Sequence, residues 1–272
     1  MLKILCGLFL AAMILTPLTA NAQSKNFSIN GDHGKLSAVL QTPDDKKNFP
    51  LVIICHGFTG NKNEKLLTTL ADNLETRGIA SIRFDFNGHG ESEGDFQDMT
   101  VLNEIEDAKK VISYAKNLNG VTSVSLAGHS QGGVVASMTA GELGAKEIKS
   151  LVLLAPAAVL RDDAIRGILM GFQYDSMNLP EYVTIYDGKK VGRNYFRIAQ
   201  TLPIYETAEK FTGKAFMIHG TGDVIVPYTY SLSYKKVLKN SEVEILEGFD
   251  HGFNQDVEKT AKLAAEWFAK NI

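Results

Sequence analysis

Continuous apolar runs alternate with amphipathic stretches along most of the chain, and this alternation limits the fold more than any other feature. The runs "PLVIIC" (50–55), "IASIRFDF" (79–86), "VTSVSLAG" (121–128) and "SLVLLAP" (150–156) are typical of strands that are buried on both faces. Helical stretches such as "EKLLTTLADNLETRG" (64–78) separate these runs. Strands and helices in this order predict βαβ units, and therefore an α/β fold with a mostly parallel sheet and helices on both faces.

The alternation stops near Pro156 and resumes after about Pro203 with the strand-like run "KAFMIHG". The intervening segment is rich in glycine, tyrosine and charged residues and shows no clear strand periodicity. Long insertions in compact domains usually form lids or binding elements. The sequence therefore predicts one domain over residues 23–272, with a small cap inserted at about 156–203 after the sixth strand or so.

The first residues have the composition of a secretory signal. Lys3 precedes an apolar run from Ile4 to Leu15, and an A-x-A site ends at Ala22. The alternative is an uncleaved anchor helix, but the run is short for a bilayer and Pro17 interrupts its end. We expect removal of residues 1–22, secretion or periplasmic localisation, and no membrane association after cleavage.

The net charge indicates which classes of partner are unsupported, and the cysteine content indicates whether a disulfide can form. The net charge is −3 and no basic block is present, so nucleic acid or an anionic membrane is unsupported as the main partner. Cys6 lies in the predicted signal, which leaves Cys55 alone in the mature chain and excludes an intramolecular disulfide there. Because Cys55 ends an apolar run, we interpret it as a small buried core residue.

The stretch "AGHSQGGVVA" (127–136) places Ser130 between Gly128 and Gly132, after a predicted strand and before a predicted helix. This context is typical of a nucleophile elbow, a sharp turn that exposes a serine hydroxyl above the sheet. Such a turn forces an unfavourable backbone conformation on the serine and leaves room only for glycine beside it. A plain surface turn is the alternative.

A serine hydroxyl needs a base, and the base needs an orienting acid. When the nucleophile is on such an elbow, the acid and then the histidine follow it in the chain. Only His219 and His251 follow Ser130; His219 lies within a strand, whereas His251 lies in a loop before the last helix. Asp223 follows the strand before that loop, while Asp250 is better interpreted as a loop cap, since adjacent side chains rarely face each other. The predicted triad is Ser130, Asp223 and His251.

Two backbone N–H groups should stabilise the oxyanion in such a site. One is the N–H of Gln131, directly after the serine. The other is the N–H of Phe58, in the loop "HGFTG" (56–60), which could alternatively be an ordinary turn. The remaining histidines are not spaced like metal ligands, so neither a metal nor a cofactor is predicted; they are His33, His56, His89 and His129.

The motifs "HGFTGN", "RFDFNGHG", "GHSQGG" and "DHGF" together resemble those of the bacterial cinnamoyl (feruloyl) esterases of the α/β-hydrolase fold. The resemblance extends from about residue 27 to the end of the chain. It implies hydrolysis of small-molecule esters of hydroxycinnamic acids with plant cell-wall sugars, or of soluble esters such as chlorogenate. It also implies the triad and oxyanion donors named above, no cofactor, and a cap over the acyl pocket.

The resemblance further implies that polar cap residues bind the ring hydroxyls of the acid, and the matching residues are Asp163 and Tyr195. The segment Ile168-Leu169-Met170 is apolar where the family leads us to expect polar character. A generic short-chain carboxylesterase or lipase with an apolar acyl pocket is therefore the alternative. An oligopeptidase would need a large extra domain, and a binding scaffold would need a degraded triad. The oligomeric state, a homodimer included, is left open.

Overall fold

The computed structural model describes residues 23–43 and 46–272, and its largest element is an eight-stranded sheet. The strands are β1 (Gln23–Asn30), β2 (Lys35–Thr42), β3 (Phe49–Cys55), β4 (Ala80–Phe84), β5 (Val121–His129), β6 (Ser150–Leu154), β7 (Ile168–Leu169), β8 (Phe172–Gln173), β9 (Tyr182–Thr184), β10 (Lys190–Gly192), β11 (Lys214–Gly220) and β12 (Ser241–Leu246). The large sheet has the order β1-β2-β4-β3-β5-β6-β11-β12. Only the β1–β2 and β2–β4 pairs are antiparallel, which confirms the predicted mostly parallel sheet.

Helices cover both faces of this sheet, as the alternation of strands and helices in the sequence predicts. They are α1 (Lys65–Glu75), α2 (Val101–Lys116), α3 (Gln131–Leu143), α4 (Val159–Arg166), α5 (Arg193–Ala199), α6 (Ile204–Ala208), α7 (Thr229–Val237) and α8 (Val257–Asn271). One face packs against α1 and α8, and the other packs against α2, α3 and α7, while α6 packs on α3 and α7. Because successive strand residues point to opposite faces, Ile53 and Ile54 belong to different cores. This explains why the central strands are apolar throughout.

The helix α2 carries one apolar stripe that faces α3 and the sheet. Thr100 caps its first turn by accepting a hydrogen bond from the Asn103 N–H at 3.2 Å. Its buried residues are Val101, Glu104, Ile105, Asp107, Ala108, Val111, Ile112 and Ala115. Two carboxylic acids, Glu104 and Asp107, are thus buried with the apolar residues.

The loops that follow β3, β5, β11 and β12 hold Phe58 and the predicted triad, and Gln131 begins α3 directly after Ser130. Because these strands are parallel, their carboxyl ends lie at the same edge of the sheet, where ligands bind in α/β proteins. The segment 56–60 and the residues Ser130, Asp223 and His251 therefore meet at this edge.

The predicted cap segment, 156–203, follows β6 and contains α4, α5 and two small antiparallel ribbons, β7–β8 and β9–β10. None of these short strands joins the eight-stranded sheet. Helix α5 contacts α4, α2 and β10, so the segment packs on the main domain. Its boundaries as a separate cap stay a prediction.

The remaining sequence expectations concern the signal, membrane-spanning helices, metal ligands and Cys55. The signal predicted at residues 1–22 lies outside the described residues. Over residues 23–43 and 46–272, no helix is both long enough and apolar enough to cross a membrane. In the same ranges, no three His, Cys, Asp or Glu side chains are grouped so as to hold a metal ion. Cys55 is fully buried, as expected, and burial raises the pKa of its thiol.

Candidate active site

Ser130 lies on a strained turn between β5 and α3. Its backbone has φ 55° and ψ −124°, a conformation that a residue with a side chain rarely adopts. A Cβ atom on Gly128 would lie 2.1 Å from the Gly132 carbonyl oxygen, and one on Gly132 would lie 2.3 Å from the His56 carbonyl oxygen. The predicted sharp turn, with glycine on both sides because nothing larger fits, is confirmed.

The structure brings Ser130, His251 and Asp223 into one chain of hydrogen bonds. Ser130 Oγ lies 2.9 Å from His251 Nε2, and His251 Nδ1 lies 2.7 Å from Asp223 Oδ2. The exposed fraction is 8% for Ser130 and 7% for Asp223, whereas His251 is half-buried. A serine, a base within reach of its proton and an acid that orients the base are the parts that nucleophilic catalysis requires.

From the part of the chain that the structure describes, Asp223 receives four hydrogen bonds. Its Oδ1 accepts hydrogen bonds from the backbone N–H groups of Ile225 at 2.9 Å and Val226 at 2.8 Å. Its Oδ2 accepts hydrogen bonds from His219 Nε2 at 3.1 Å and from His251 Nδ1 at 2.7 Å. Burial by itself raises the pKa of this carboxyl. The hydrogen bonds from the two histidines and the backbone outweigh burial and hold the pKa of Asp223 well below its usual range. The acid is therefore ionised at neutral pH.

His219 is a second partner of Asp223 that the sequence did not reveal. The sequence places it within a strand and indicates only a structural role for it. Its Nε2–H points at both Asp223 Oδ2 and the Val226 carbonyl oxygen, 2.9 Å away, while its Nδ1 lies 2.7 Å from Ser231 Oγ. The one available signal was its position at the end of β11, where the loop of Asp223 begins.

The loop of His251 is held by a hydrogen bond from His129 and by another between residues of the loop itself. His129 Nε2 donates to the His251 carbonyl oxygen at 2.9 Å, and the two rings lie 4.9 Å apart. Burial lowers the pKa of His129 to about 3, so this ring is neutral. Asp250 Oδ1 accepts the Asn254 N–H at 2.9 Å. Asp250 therefore caps the loop, as interpreted, and does not contact the imidazole.

The two predicted oxyanion residues, Phe58 and Gln131, line one cavity together with Ser130. Neither backbone N–H donates a hydrogen bond within the described part of the chain. A Cβ atom on Gly57 would lie 2.9 Å from Ser130 Cβ and 3.5 Å from Ser130 Oγ, so this loop passes directly over the serine. Both N–H groups are therefore available near the hydroxyl.

His56 fixes the loop that carries Phe58. Its Nδ1 donates to the Gly57 carbonyl oxygen at 2.8 Å, and its Nε2 accepts the Phe86 N–H at 3.1 Å. Burial lowers the pKa of His56 to about 4, which keeps the ring neutral. The ring thus supports the loop without adding charge to the site.

A cavity of about 460 Å³ adjoins Ser130, and its lining is mainly apolar. Asp163 lies in its wall, and its carboxylate accepts no hydrogen bond from residues that the structure describes; burial raises its pKa. Tyr195 also lines the cavity, but its hydroxyl donates to Gln131 Oε1 at 2.8 Å. Within the described part of the chain, Asp163 therefore offers an unpaired carboxylate to the cavity, which Arg166 also lines, while the hydroxyl hydrogen of Tyr195 is already engaged.

Comparison with known proteins gives relatives that are similar to this chain in sequence or in fold. Residues 46–175 match the family described as Serine aminopeptidase, S33. A solved structure of Est1E from Butyrivibrio proteoclasticus, with ferulic acid bound, is 34% identical and has a TM-score of 0.87. That alignment covers 90% of this chain and 98% of the other.

Two curated relatives match over shorter segments. An uncharacterized 31.7 kDa protein in the traX-finO intergenic region of Escherichia coli is 33% identical over 128 residues, which are 46% of this chain and 44% of that protein. The quorum-quenching protein AidA of Acinetobacter baumannii is 32% identical over 88 residues, 32% of this chain and 29% of that protein. The match thus spans less than half the length of each.

Together with the near-complete alignment to Est1E, the eight-stranded sheet and the serine turn, these similarities show that the chain belongs to the bacterial serine esterases of the α/β-hydrolase family.

Proposed function

We propose that this protein is a serine carboxylesterase that hydrolyses hydroxycinnamoyl esters, such as feruloyl, caffeoyl and p-coumaroyl esters. The observation that carries the proposal is the unused carboxylate of Asp163 in a mainly apolar cavity beside Ser130. An acyl group with an apolar aromatic ring and a ring hydroxyl fits such a lining, because the hydroxyl can donate to the carboxylate. The ferulic acid bound to the related Est1E supports the same class of ligand.

In the proposed reaction, Ser130 Oγ attacks the carbonyl carbon of the ester while His251 Nε2 takes the hydroxyl proton. The carbonyl oxygen becomes negative and accepts the N–H groups of Phe58 and Gln131. The C–O bond to the alcohol then breaks, and the alcohol leaves with the proton from His251. Water then attacks the acyl carbon with the same histidine as base. The bond from that carbon to Ser130 Oγ breaks, His251 returns the proton to the serine, and the acid is released. These steps require no cofactor.

Asp223 keeps its negative charge through this cycle, because hydrogen bonds hold its pKa well below its usual range despite burial. Its contact with Nδ1 places the imidazole proton on that nitrogen, which leaves the Nε2 lone pair facing the serine. The same charge stabilises the imidazolium that forms when His251 takes the proton.

Ile168, Leu169 and Met170 favour a second candidate function. All three line the same cavity, as Asp163 does. An apolar wall accepts an aliphatic acyl chain as readily as an aromatic ring. A generic short-chain carboxylesterase or lipase is therefore the alternative, and the two candidates share every catalytic step.

Methyl ferulate and methyl butyrate separate these candidates, because they share the same leaving alcohol. We expect kcat/KM to be higher for methyl ferulate, since the aromatic acyl group buries more apolar surface and its ring hydroxyl reaches Asp163. The measurement is initial rates of acid release by titration over a range of substrate concentrations. A clear preference for methyl butyrate would instead support the short-chain esterase.

Asp163→Ala is expected to lower kcat/KM for methyl p-coumarate by about ten- to a hundred-fold, the usual value of a hydrogen bond to a charged group. Methyl cinnamate lacks the ring hydroxyl, so its rate should change little. Asp162→Ala is the matched control, because it removes the same charge from α4 at a residue that bonds the Tyr230 hydroxyl. An equal loss on both esters would contradict the assigned role of Asp163.

We further propose that the protein acts in the periplasm or outside the cell, on the basis of the composition of residues 1–22. A small-molecule ester is its only proposed partner. Secretion would bring the enzyme to esters of plant cell walls, which agrees with the proposed substrate class.

A further inference from the structure

The side chain of Gln131 is held by two elements outside its own turn. Its Nε2 donates to Glu104 Oε2 on α2 at 2.8 Å, and its Oε1 accepts the Tyr195 hydroxyl of α5 at 2.8 Å. All three residues are at least 95% buried. Because the backbone N–H of Gln131 is a proposed oxyanion donor, these two contacts limit how far that N–H can rotate or shift.

Tyr195 also contacts the other proposed oxyanion residue. Its ring centroid lies 5.7 Å from that of Phe58, and Phe96 packs against Phe58 at 5.6 Å. One side chain from the segment between β6 and β11 thus contacts Gln131 through its hydroxyl and Phe58 through its ring. The position of α5 is therefore tied to the geometry of both donors.

We propose that Tyr195 and Glu104 are positioning residues of the oxyanion hole, and that α5 fixes the alignment of that hole through Tyr195. The resemblance to cinnamoyl esterases implies that Tyr195 binds a ring hydroxyl of the substrate, whereas the geometry makes it act through Gln131. The inference rests on the proposed serine mechanism and its oxyanion donors, but not on the hydroxycinnamoyl substrate.

The protonation state of Glu104 gives this arrangement a pH dependence. Burial raises the pKa of Glu104 to about 8. The nearby Asp107 contributes to this rise, and the hydrogen bond from Gln131 opposes it. The other groups that face it are the thiol of Cys55 on β3 and the phenol of Tyr195, both neutral at pH 8. Among the described residues, no lysine or arginine forms an ion pair with it.

Below about pH 8, Glu104 is therefore neutral and accepts the Gln131 amide without adding charge. Above that pH it becomes a buried carboxylate one side chain away from the site of the developing oxyanion. Two like charges in a poorly solvated site repel each other, so the transition state is destabilised as Glu104 ionises. The rate should consequently fall as the pH rises through about 8.

Tyr195→Phe tests the proposal on p-nitrophenyl acetate, whose acyl group has no ring to bind. We expect kcat to fall by about tenfold, with KM nearly unchanged. This loss is smaller than the one caused by deleting an oxyanion donor outright. Tyr234→Phe is the matched control. It also removes a buried tyrosine hydroxyl bonded to α3, at Ser137, away from the oxyanion donors. Wild-type kcat in Tyr195→Phe, a loss only on esters with a ring hydroxyl, or an equal loss in Tyr234→Phe would overturn the proposal.

Glu104→Gln gives a second test that does not depend on the tyrosine. Glutamine can still accept the Gln131 amide through its oxygen, but it cannot ionise. The wild type should lose kcat on p-nitrophenyl acetate between pH 7 and pH 9.5, after subtraction of spontaneous hydrolysis, while the variant should not. The same decline in both proteins would overturn the role of Glu104. If the wild type hydrolyses the acetate but not methyl ferulate, the proposed substrate class fails and this inference stands.

Discussion

Replacing Ser130 with alanine is expected to lower kcat by about a million-fold, the loss seen when a serine nucleophile is removed from a well-studied triad. The hydroxyl is the one group that forms a covalent bond to the acyl carbon in the proposed reaction. Among the described residues, His251 is the one side chain that hydrogen-bonds its Oγ, so the substitution leaves the strained turn and the neighbouring glycines in place. The measurement is kcat on methyl ferulate and on p-nitrophenyl acetate, with circular dichroism to verify folding.

Ser137→Ala is the control for this experiment, because Ser137 is another buried serine of α3 and bonds the Val134 carbonyl oxygen and the Tyr234 hydroxyl. It should keep kcat within a few-fold of the wild type. A serine-directed phosphonate should label the wild type at Ser130 and leave the alanine variant unlabelled. Retention of more than about a thousandth of the wild-type kcat in Ser130→Ala would exclude Ser130 as the nucleophile.

The meeting of Ser130, Asp223 and His251 could be predicted because each residue follows a recognisable strand. An apolar run identifies a buried strand, and parallel strands place their carboxyl ends at one edge of a sheet. The sequence therefore defines which loops come together without any knowledge of their exact paths. The hydrogen bonds at 2.9 Å and 2.7 Å follow from that arrangement once the loops are short.

Glu104 shows why the supporting contacts could not be predicted in the same way. It falls on the apolar stripe of α2, between Val101 and Ala108, so the sequence does contain an anomaly at that position. Whether such a carboxyl is buried or extends to solvent depends on what packs against the stripe. Its partner Gln131 and the adjoining Tyr195 come from α3 and α5, and no local pattern in the chain specifies that contact.

The two ribbons after β6 were missed for a different reason. Strands β7 to β10 have only two or three residues each, and a period of two cannot be recognised over so short a length. Glycine and tyrosine content indicated an insertion but not its internal structure. The contacts of His219 were missed because the sequence shows the end of a strand but not which residues its side chain faces.

Asp223→Asn is expected to lower kcat by about 10⁴-fold with little change in KM, as the equivalent change does in a serine protease triad. Oδ1 accepts two backbone N–H groups, so the amide oxygen of asparagine must occupy that position. Its NH₂ group then replaces Oδ2 and faces His251 Nδ1. The imidazole must accept this hydrogen bond, which moves its own proton to Nε2, where it faces Ser130 and cannot take the serine proton.

Asp250→Asn is the control that separates this tautomer effect from a general loss of charge beside His251. Asp250 precedes the histidine directly but bonds Asn254, so its amide variant should keep kcat within a few-fold of the wild type. Both variants lose one negative charge, Asp223 in the loop after β11 and Asp250 in the loop after β12, and only the first reverses a hydrogen bond to the ring. Equal losses in the two variants would mean that the nearby charge, and not the Asp223 contact, supports catalysis. A loss confined to Asp223→Asn would mean that the orientation of one imidazole proton decides the rate.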